Sequence, residues 1–162
     1  MAGKIIVRIN ILLTLIFVTS SIVSAVAFSQ PWKTIAVVVS LACFAVGITV
    51  FLWGYWSAVQ RSREDNISVA AMYFLVDGAA PSRLAVVMNS TLAVQVVVAV
   101  ATALSRSSTD GRPGSTLAFG ILVPMMGLGF NGLWAAEHGV FDPRRVEGSS
   151  EMPQTESPND KD

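Results

Sequence analysis

Charged residues are scarce in this chain of 162 residues: they make up 14% of it, whereas 52% of the residues are hydrophobic. Soluble globular domains carry about 25% charged residues, so this much apolar surface needs an environment other than water. The eleven basic and eleven acidic residues cancel to a net charge of zero at pH 7. A neutral chain offers no electrostatic footprint for nucleic acid, and we expect no nucleic-acid partner.

Cysteine and histidine are nearly absent, with one residue of each. The single Cys43 cannot form a disulfide within the chain or the Cys-x-x-Cys pair of thiol redox proteins. The single His138 leaves too few ligands for a zinc cluster, and a hydrolase triad would depend on this same residue. We therefore expect no catalytic residue, no metal site and no cofactor, and we expect that the protein is not an enzyme.

Charged residues are missing altogether from four long apolar runs. A helix needs roughly 20 apolar residues to cross about 30 Å of hydrocarbon, and each run is that long. The runs lack the alternation of apolar and polar residues found in membrane barrels, so we predict helices. The sequence thus predicts an all-α fold, a four-helix antiparallel transmembrane bundle surrounded by the lipid bilayer. The four predicted spans are residues 9–28, 34–56, 84–104 and 116–136.

The segments that join the runs fit this arrangement. Pro31, in the short turn between the first two runs, favours a tight hairpin. The longer loop after the second run contains an apolar stretch, residues 67–76, which is too short to span and is predicted to form a short interfacial helix. Asn66 is in position to cap this helix, and Asp77-Gly78 is in position to end it.

The composition changes after Phe141, where a stretch rich in Ser, Pro and acidic residues begins. Residues 142–162 hold six acidic and three basic residues. Such a segment cannot bury enough apolar surface to offset the loss of chain entropy, so we predict a disordered acidic tail. The predicted domains are therefore a membrane domain over residues 1–141 and a cytoplasmic tail over residues 142–162.

Basic residues are distributed unevenly between the two sides of the predicted bundle. If the N-terminus lies inside, eight of the eleven Lys and Arg residues fall on the cytoplasmic side. Cytoplasmic loops of membrane proteins carry an excess of Lys and Arg. We therefore predict a multi-pass protein of the cell (inner) membrane with both termini in the cytoplasm. The outer basic residues are Lys33, Arg106 and Arg112.

The first run leaves one alternative open. Lys4 and Arg8 precede it, and it ends in Ala-Val-Ala at residues 25–27, the small-x-small pattern of a signal-peptide cleavage site. The run is longer than the usual core of about 7–15 residues, and Pro31 follows where a hairpin needs it, so we favour an uncleaved span. Cleavage would leave three spans.

Glycine is concentrated in the second and fourth runs. Residues 127–132 match the Gly-x-Gly-x-x-Gly string of dinucleotide-binding folds, but no flanking strand is predicted to position a pyrophosphate, so we reject that interpretation. Small residues instead let membrane helices approach closely, and Pro124 is expected to kink the fourth span and is a candidate hinge. The predicted helix-packing residues are Gly47, Gly54, Gly120, Pro124, Gly127, Gly129 and Gly132.

Polar side chains are few inside the predicted spans, and Gln95 is the most deeply placed strongly polar one. Thr91 lies one turn before it on the same helix face, and Asn131 lies in the fourth run. A Gln in mid-bilayer needs a partner on a neighbouring helix, in another subunit or in a water-filled cleft. We favour a hydrogen bond between helices over a substrate site.

Ionisable side chains are the usual mark of proton relays and ion-coupled carriers, and the four spans contain none. We therefore expect a non-catalytic structural or accessory component that packs against itself as a homo-oligomer or against a partner membrane protein. The alternative is a small transporter or channel-like oligomer, in which Gln95 and Asn131 line a polar path and Pro124 acts as a hinge.

Several stretches carry a family resemblance. They include Gln-Arg-Ser-Arg at 60–63, Tyr-Phe-Leu at 73–75, Ala-Val-Gln-Val-Val-Val at 93–98, Leu-Ala-Phe-Gly at 117–120, Gly-Leu-Trp at 132–134 and Phe-Asp-Pro-Arg-Arg at 141–145. Together they resemble a family of small uncharacterised integral membrane proteins of high-GC Gram-positive bacteria, over most of residues 34–145. The resemblance implies a four-span protein of the bacterial inner membrane, and it implies no activity.

Overall fold

The computed structural model describes residues 2–106, 108–109 and 112–143. Residues 144–162, which make up most of the predicted tail, lie outside the described residues. In chain order the elements are α1 (Ala2–Ala27), α2 (Trp32–Arg61), α3 (Val69–Phe74), α4 (Ser82–Ser105), strands β1 (Ser108–Thr109) and β2 (Arg112–Pro113), a 3₁₀-helix (Thr116–Leu122) and α5 (Pro124–His138).

Four helical segments are long and apolar enough to cross a membrane, which confirms the prediction of four long apolar helices. They are α1, α2, α4 and the 3₁₀-helix continued by α5. The first two are longer than their apolar runs, because α1 begins at Ala2 and α2 continues to Arg61. Lys, Arg and Gln are good helix formers, so a helix need not end where the hydrophobic residues end. Between α4 and the 3₁₀-helix, β1 and β2 pair as a minimal antiparallel hairpin.

The fourth apolar run does not form the single kinked α-helix that the sequence predicts. Residues 116–122 form a 3₁₀-helix, and Ser115 caps it by accepting a hydrogen bond from Leu117 N at 3.1 Å. An α-helix then begins at Pro124. Proline lacks an N–H and fits the first turn of a helix, where that donor would have no partner. Pro124 therefore lies at the start of an α-helix, where the helix type changes, and not inside one α-helix.

The short helix α3 is shorter than the predicted 67–76, and Asn66 does not cap it. Ser68 is the N-cap, and its Oγ accepts a hydrogen bond from Ala71 N at 3.0 Å. The backbone N–H of Asn66 donates to Asp142 O at 2.8 Å, which holds Asn66 outside the helix. The hydrogen bond to Asp142, which is distant in sequence, thus prevents Asn66 from acting as the N-cap that local rules predict.

The end of α3 also differs from the prediction. Asp77-Gly78 does not end the helix, because Leu75 directly after it has a left-handed conformation with φ of 52°. A left-handed residue after the last turn is a common way to end a helix, although glycine usually supplies it. Asp77 and Gly78 have positive φ as well, so the turn after α3 extends over several residues.

The long segments alternate in direction along the chain, but the closest backbone contacts join two helices that run the same way. Gly47 of α2 lies against Met126 of α5, and Gly54 lies against Leu133. Residue numbers rise together in these two contacts, so α2 and α5 are parallel. Backbones that approach this closely leave no room for side chains at the contact.

Helices α1 and α4 form a second parallel pair. Thr14 of α1 contacts Gln95 of α4, and nearer the other end Arg106 Nε donates to Ala25 O at 2.9 Å. Large apolar side chains fill the space between the two pairs and are fully buried. They are Phe17, Met88, Val123 and Met126.

One end of the bundle, here called the α3 end, gathers the end of α2, α3 and the residues after α5. Arg61 Nε pairs with Asp65 at 2.6 Å, and its Nη1 donates to Ala136 O at 3.3 Å. Asp65 also forms a β-bridge with Pro143. Asp142 and Pro143, which composition assigns to the tail, are therefore attached to the folded part of the chain.

Candidate functional site

Two clusters of polar side chains, all buried except the half-buried Asn89, form the candidate site. The Gln95 cluster consists of Asn10, Thr14 and Gln95, and the Asn131 cluster consists of Asn89 and Asn131. Polar groups shielded from water are costly unless they are hydrogen-bonded, so the partners of each amide decide what the cluster does.

The Gln95 cluster joins α4 to α1. Gln95 is fully buried, and its Nε2 donates to Thr14 Oγ1 at 2.7 Å and, more weakly, to Asn10 Oδ1 at 3.4 Å. Asn10 is 1% exposed. Gln95 Oε1 and Asn10 Nδ2 have no hydrogen-bond partner among the described residues. The cluster is thus a link between helices with one acceptor and one donor left over.

Gly127 of α5 faces this cluster. A Cβ at Gly127 would lie 2.6 Å from Gln95 Oε1 and 2.9 Å from Leu92 Cδ1. The amide oxygen therefore occupies the place where any other residue would carry a side chain.

The Asn131 cluster joins α5, α4 and the end of α3. Asn131 is fully buried, and its Nδ2 donates to Tyr73 O at 2.9 Å and to Asn89 Oδ1 at 3.0 Å. Asn89 Nδ2 in turn donates to Phe74 O at 2.6 Å. The last carbonyls of a helix have no partner within it. Two amides from the long helices therefore cap the C-terminal end of α3.

The two clusters are not joined by a hydrogen bond among the described residues. Thr91 belongs to neither cluster, because its Oγ1 donates to Val87 O of its own helix at 2.8 Å. The surface grooves of the described chain include four of about 230 to 590 Å³. Neither Gln95 nor Asn131 lines these four, although Thr14 and Thr91 line one of them and Asn89 lines another.

The glycines of α2 and α5 lie where the two backbones meet. A Cβ at Gly47 would stand 2.6 Å from Met126 N, and a Cβ at Gly54 would stand 2.8 Å from Leu133 N. On the opposite helix, a Cβ at Gly129 would stand 2.7 Å from Gly47 O. Real Cβ atoms do not approach backbone atoms this closely, so these three positions admit no side chain without separating the helices.

Two other glycines contact side chains rather than backbone. A Cβ at Gly132 would meet the Tyr73 ring at 2.6 Å, and one at Gly120 would meet the Phe17 ring at 3.3 Å. The ring of Tyr73 also stacks on Phe51, with centroids 4.9 Å apart. Gly132 thus gives α3 room to lie against α5.

Asn10, Thr14 and Asn89 belong to the clusters but are not among the candidate polar residues that the sequence predicts, which are Thr91, Gln95 and Asn131. Asn10 lies at the start of the first apolar run, four residues before Thr14, so both fall on one helix face. That spacing is the available signal for Asn10. Nothing in the local sequence indicates that Asn89 would meet α3, because this contact depends on how the loop folds back.

Tyr73 is a titratable group that lies beside the Asn131 cluster. Burial, with a smaller contribution from Tyr55, raises the pKa of Tyr73, so its phenol stays protonated at neutral pH. The hydroxyl of Tyr73 is buried and has no hydrogen-bond partner among the described residues. Within the same residues, no group of three or more His, Cys, Asp or Glu side chains is placed to hold a metal ion.

The chemistry open to the two clusters follows from their side chains. Amides and hydroxyls donate and accept hydrogen bonds but do not titrate near neutral pH. They are suited to bridging helices or to binding a neutral polar solute, and not to relaying protons. Comparisons of the chain with protein-family models, with curated proteins and with solved structures found no match.

Proposed function

We propose that this chain is a non-catalytic multi-pass protein of the cell (inner) membrane that serves as a structural or accessory component. Both termini face the cytoplasm, and the exposed apolar side chains of the long helices contact lipid. It assembles with further copies of itself or with a partner membrane protein. The four long apolar helices and the excess of basic residues at the α3 end support this arrangement.

The observation that carries the proposal is the enclosure of Gln95. The most deeply placed polar side chain is fully buried and is hydrogen-bonded to α1 within the same chain. A solute-binding amide would need to face an open cavity. Gln95 instead acts as a link between helices, which favours a structural role over transport. The link also needs an α1 that stays attached, which favours an uncleaved first span.

The glycine faces limit how partners can bind. Gly47, Gly54 and Gly129 are engaged in contacts within the chain, so they are not free to pack against another protein. Packing against a partner must therefore use surfaces other than the α2–α5 contact, such as the exposed side of α2 that carries Trp53 and Trp56.

The orientation predicts a labelling pattern. In a Cys43→Ala background, Ser29→Cys places a thiol in the turn between α1 and α2, and Asn66→Cys places one in the loop before α3. Both native residues are exposed. An impermeant thiol reagent on intact cells is expected to label Ser29→Cys and not Asn66→Cys, with both labelled after the cells are opened. The reverse pattern on intact cells would mean that the N-terminus lies outside.

The transporter alternative is favoured by three buried amide atoms, Gln95 Oε1, Asn10 Nδ2 and Asn131 Oδ1, which have no hydrogen-bond partner among the described residues. Solute flux through vesicles that contain wild-type protein or Gln95→Leu at matched density separates the two functions. We expect background flux for both proteins. The variant should lose about 1 kcal/mol of stability, because the interhelical hydrogen bond to Thr14 and the weaker one to Asn10 are lost. Val97→Leu, at an exposed position of α4, is the control for the substitution itself.

Wild-type flux well above that of empty vesicles, lost in a folded Gln95→Leu protein, would contradict the structural proposal. It would establish Gln95 as part of a polar path and make the transporter the better description.

A further inference from the structure

The end of α1 holds the small-x-small pattern of residues 25–27 in a folded conformation. The helix continues to Ala27, the residue after which a signal peptidase cuts such a pattern. The nitrogen of the bond that would be cut belongs to Phe28, and its N–H donates to Ser24 O at 2.9 Å, as in one further turn of the helix. A peptide that pairs with a protein as an added strand must be extended. The bond between Ala27 and Phe28 is therefore held in a conformation that a peptidase cannot pair with.

Arg106, which directly follows α4, restrains the same stretch. Its Nε donates to Ala25 O at 2.9 Å, across 81 positions of sequence. The last carbonyls of a helix have no partner within it, and a cation is favoured beside them, so Arg106 caps the end of α1. Ala25 is the first small residue of the pattern, and strand pairing with a peptidase would use main-chain groups of this stretch. Arg106 thus occupies an acceptor that such pairing needs.

The ring of Phe28, directly after the bond, lies beneath two cations. The guanidinium carbon of Arg106 is 4.8 Å from the ring centroid, and Lys33 Nζ is 4.4 Å from it. Both distances are within the range of an attractive cation–π contact. Lys33 belongs to the first turns of α2 and Arg106 follows α4, so Phe28 is held from two sides of the bundle. These three residues are here called the Phe28 clamp.

Burial does not protect the bond between Ala27 and Phe28. Val26 is 77% exposed, Ala27 is exposed, and so are residues 29–32 of the turn that follows. An enzyme in the same membrane could therefore reach this end of α1. The helical conformation and the Phe28 clamp are what separate the bond from such an enzyme.

We propose that the bond between Ala27 and Phe28 is a latent signal-peptidase site, which the Phe28 clamp shields while α4 is packed against α1. In the reaction the hydroxyl of a water joins the Ala27 carbonyl carbon, the C–N bond breaks, and the proton of the water joins the Phe28 nitrogen. The product has a carboxyl group on Ala27 and an amino group on Phe28. It keeps three spans and lacks Thr14, the partner of Gln95. This inference rests on the proposed orientation, which places the end of α1 at the outer face, where signal peptidases act.

Incubation of the purified full chain with a signal peptidase in detergent tests the site, and mass spectrometry identifies a fragment that begins at Phe28. We expect the wild type to stay intact. Arg106→Ala is expected to be cut about 10-fold faster, because a charge-assisted hydrogen bond no longer opposes unwinding of the helix end. Ala27→Leu, added to Arg106→Ala, is expected to stop the cut, because the small residue that the peptidase requires is gone. Ala27 is exposed, so the leucine is accommodated.

Gln95→Leu is the control for loosened packing, because it removes a link between α1 and α4 away from the clamp, and we expect it to stay intact. Phe28→Ala, which removes the ring and keeps both cations, is a second test and should also be cut faster than wild type. Equal cutting of Gln95→Leu and Arg106→Ala would overturn the clamp. A wild type cut as fast as the variants, or folded Arg106→Ala and Phe28→Ala proteins that both stay intact, would overturn the site. The assay is independent of sidedness, so it can fail while the thiol-labelling pattern holds.

Discussion

Gly47→Leu is expected to lower the free energy of unfolding by about 3 kcal/mol, at the upper end of the usual cost of overpacking. The new side chain would begin 2.6 Å from Met126 N and 2.7 Å from Met126 Cα. Both are backbone atoms, which cannot rotate away as a side chain can. The helices α2 and α5 would have to separate along their length, and the contact at Gly54 would open with them.

Reversible unfolding in mixed detergent micelles measures this change, and Val46→Leu is the matched control. Val46 precedes Gly47 on α2 and is 36% exposed, so the larger side chain points away from α5. Val46→Leu is expected to change stability by less than about 0.5 kcal/mol. If the two variants were equally stable, the close approach of α2 and α5 would not exist in the folded protein.

The long helices are accessible to sequence reasoning because they depend on a property of each segment alone. A run of about 20 uncharged apolar residues must bury its backbone hydrogen bonds in a helix whatever its neighbours are. The contacts between the helices do not have this independence. Gly47 can be recognised in the sequence as a small residue on α2. Its neighbour Met126 lies 79 positions later on a parallel helix, and nothing in the sequence identifies it.

The local rules fail where a distant segment competes for the same backbone. Asn66 has the side chain of a good N-cap, yet its N–H is bonded to Asp142 O, and Ser68 caps α3 instead. The sequence predicts a kink at Pro124 because the apolar run continues on both sides of this residue. The chain before it winds as a 3₁₀-helix, and proline then takes the position at a helix start where it fits best.

The candidate site divides in the same way. Gln95 is identifiable from its depth in an uncharged run, and a partner on a neighbouring helix can be anticipated from the cost of leaving it alone. The identity of that partner, Thr14 with Asn10, depends on how α1 is rotated against α4. A common path for Gln95 and Asn131 depends on tertiary structure and stays a hypothesis; the side-chain nitrogens of the two amides bond to different elements.

The Asn131 cluster has the wider structural role, because it attaches α3 to the bundle. Asn131 bonds a carbonyl of α3 directly, and Asn89 bonds the next carbonyl. Helix α3 has six residues, too few to be stable alone in water. Its position therefore depends on two amides that belong to other helices.

Asn131→Leu is expected to lower the free energy of unfolding by about 2 kcal/mol, because Tyr73 O and Asn89 Oδ1 lose a donor that the leucine side chain cannot replace. The loss should be larger than that of Gln95→Leu, which removes a link between two long helices already packed against each other. Hydrogen exchange locates the effect: the amides of Val69–Phe74 should exchange faster in Asn131→Leu, and those of α2 and α5 should not.

Asn89→Leu completes a double-mutant cycle for this cluster. If Asn131 and Asn89 act together, the double variant should be less destabilised than the sum of the single variants, because each single change already breaks the bond between them. Additive losses would mean that the two amides support α3 independently. Unchanged exchange in α3 for a folded Asn131→Leu protein would show that the stacking of Tyr73 on Phe51, and not the amide, holds this helix in place.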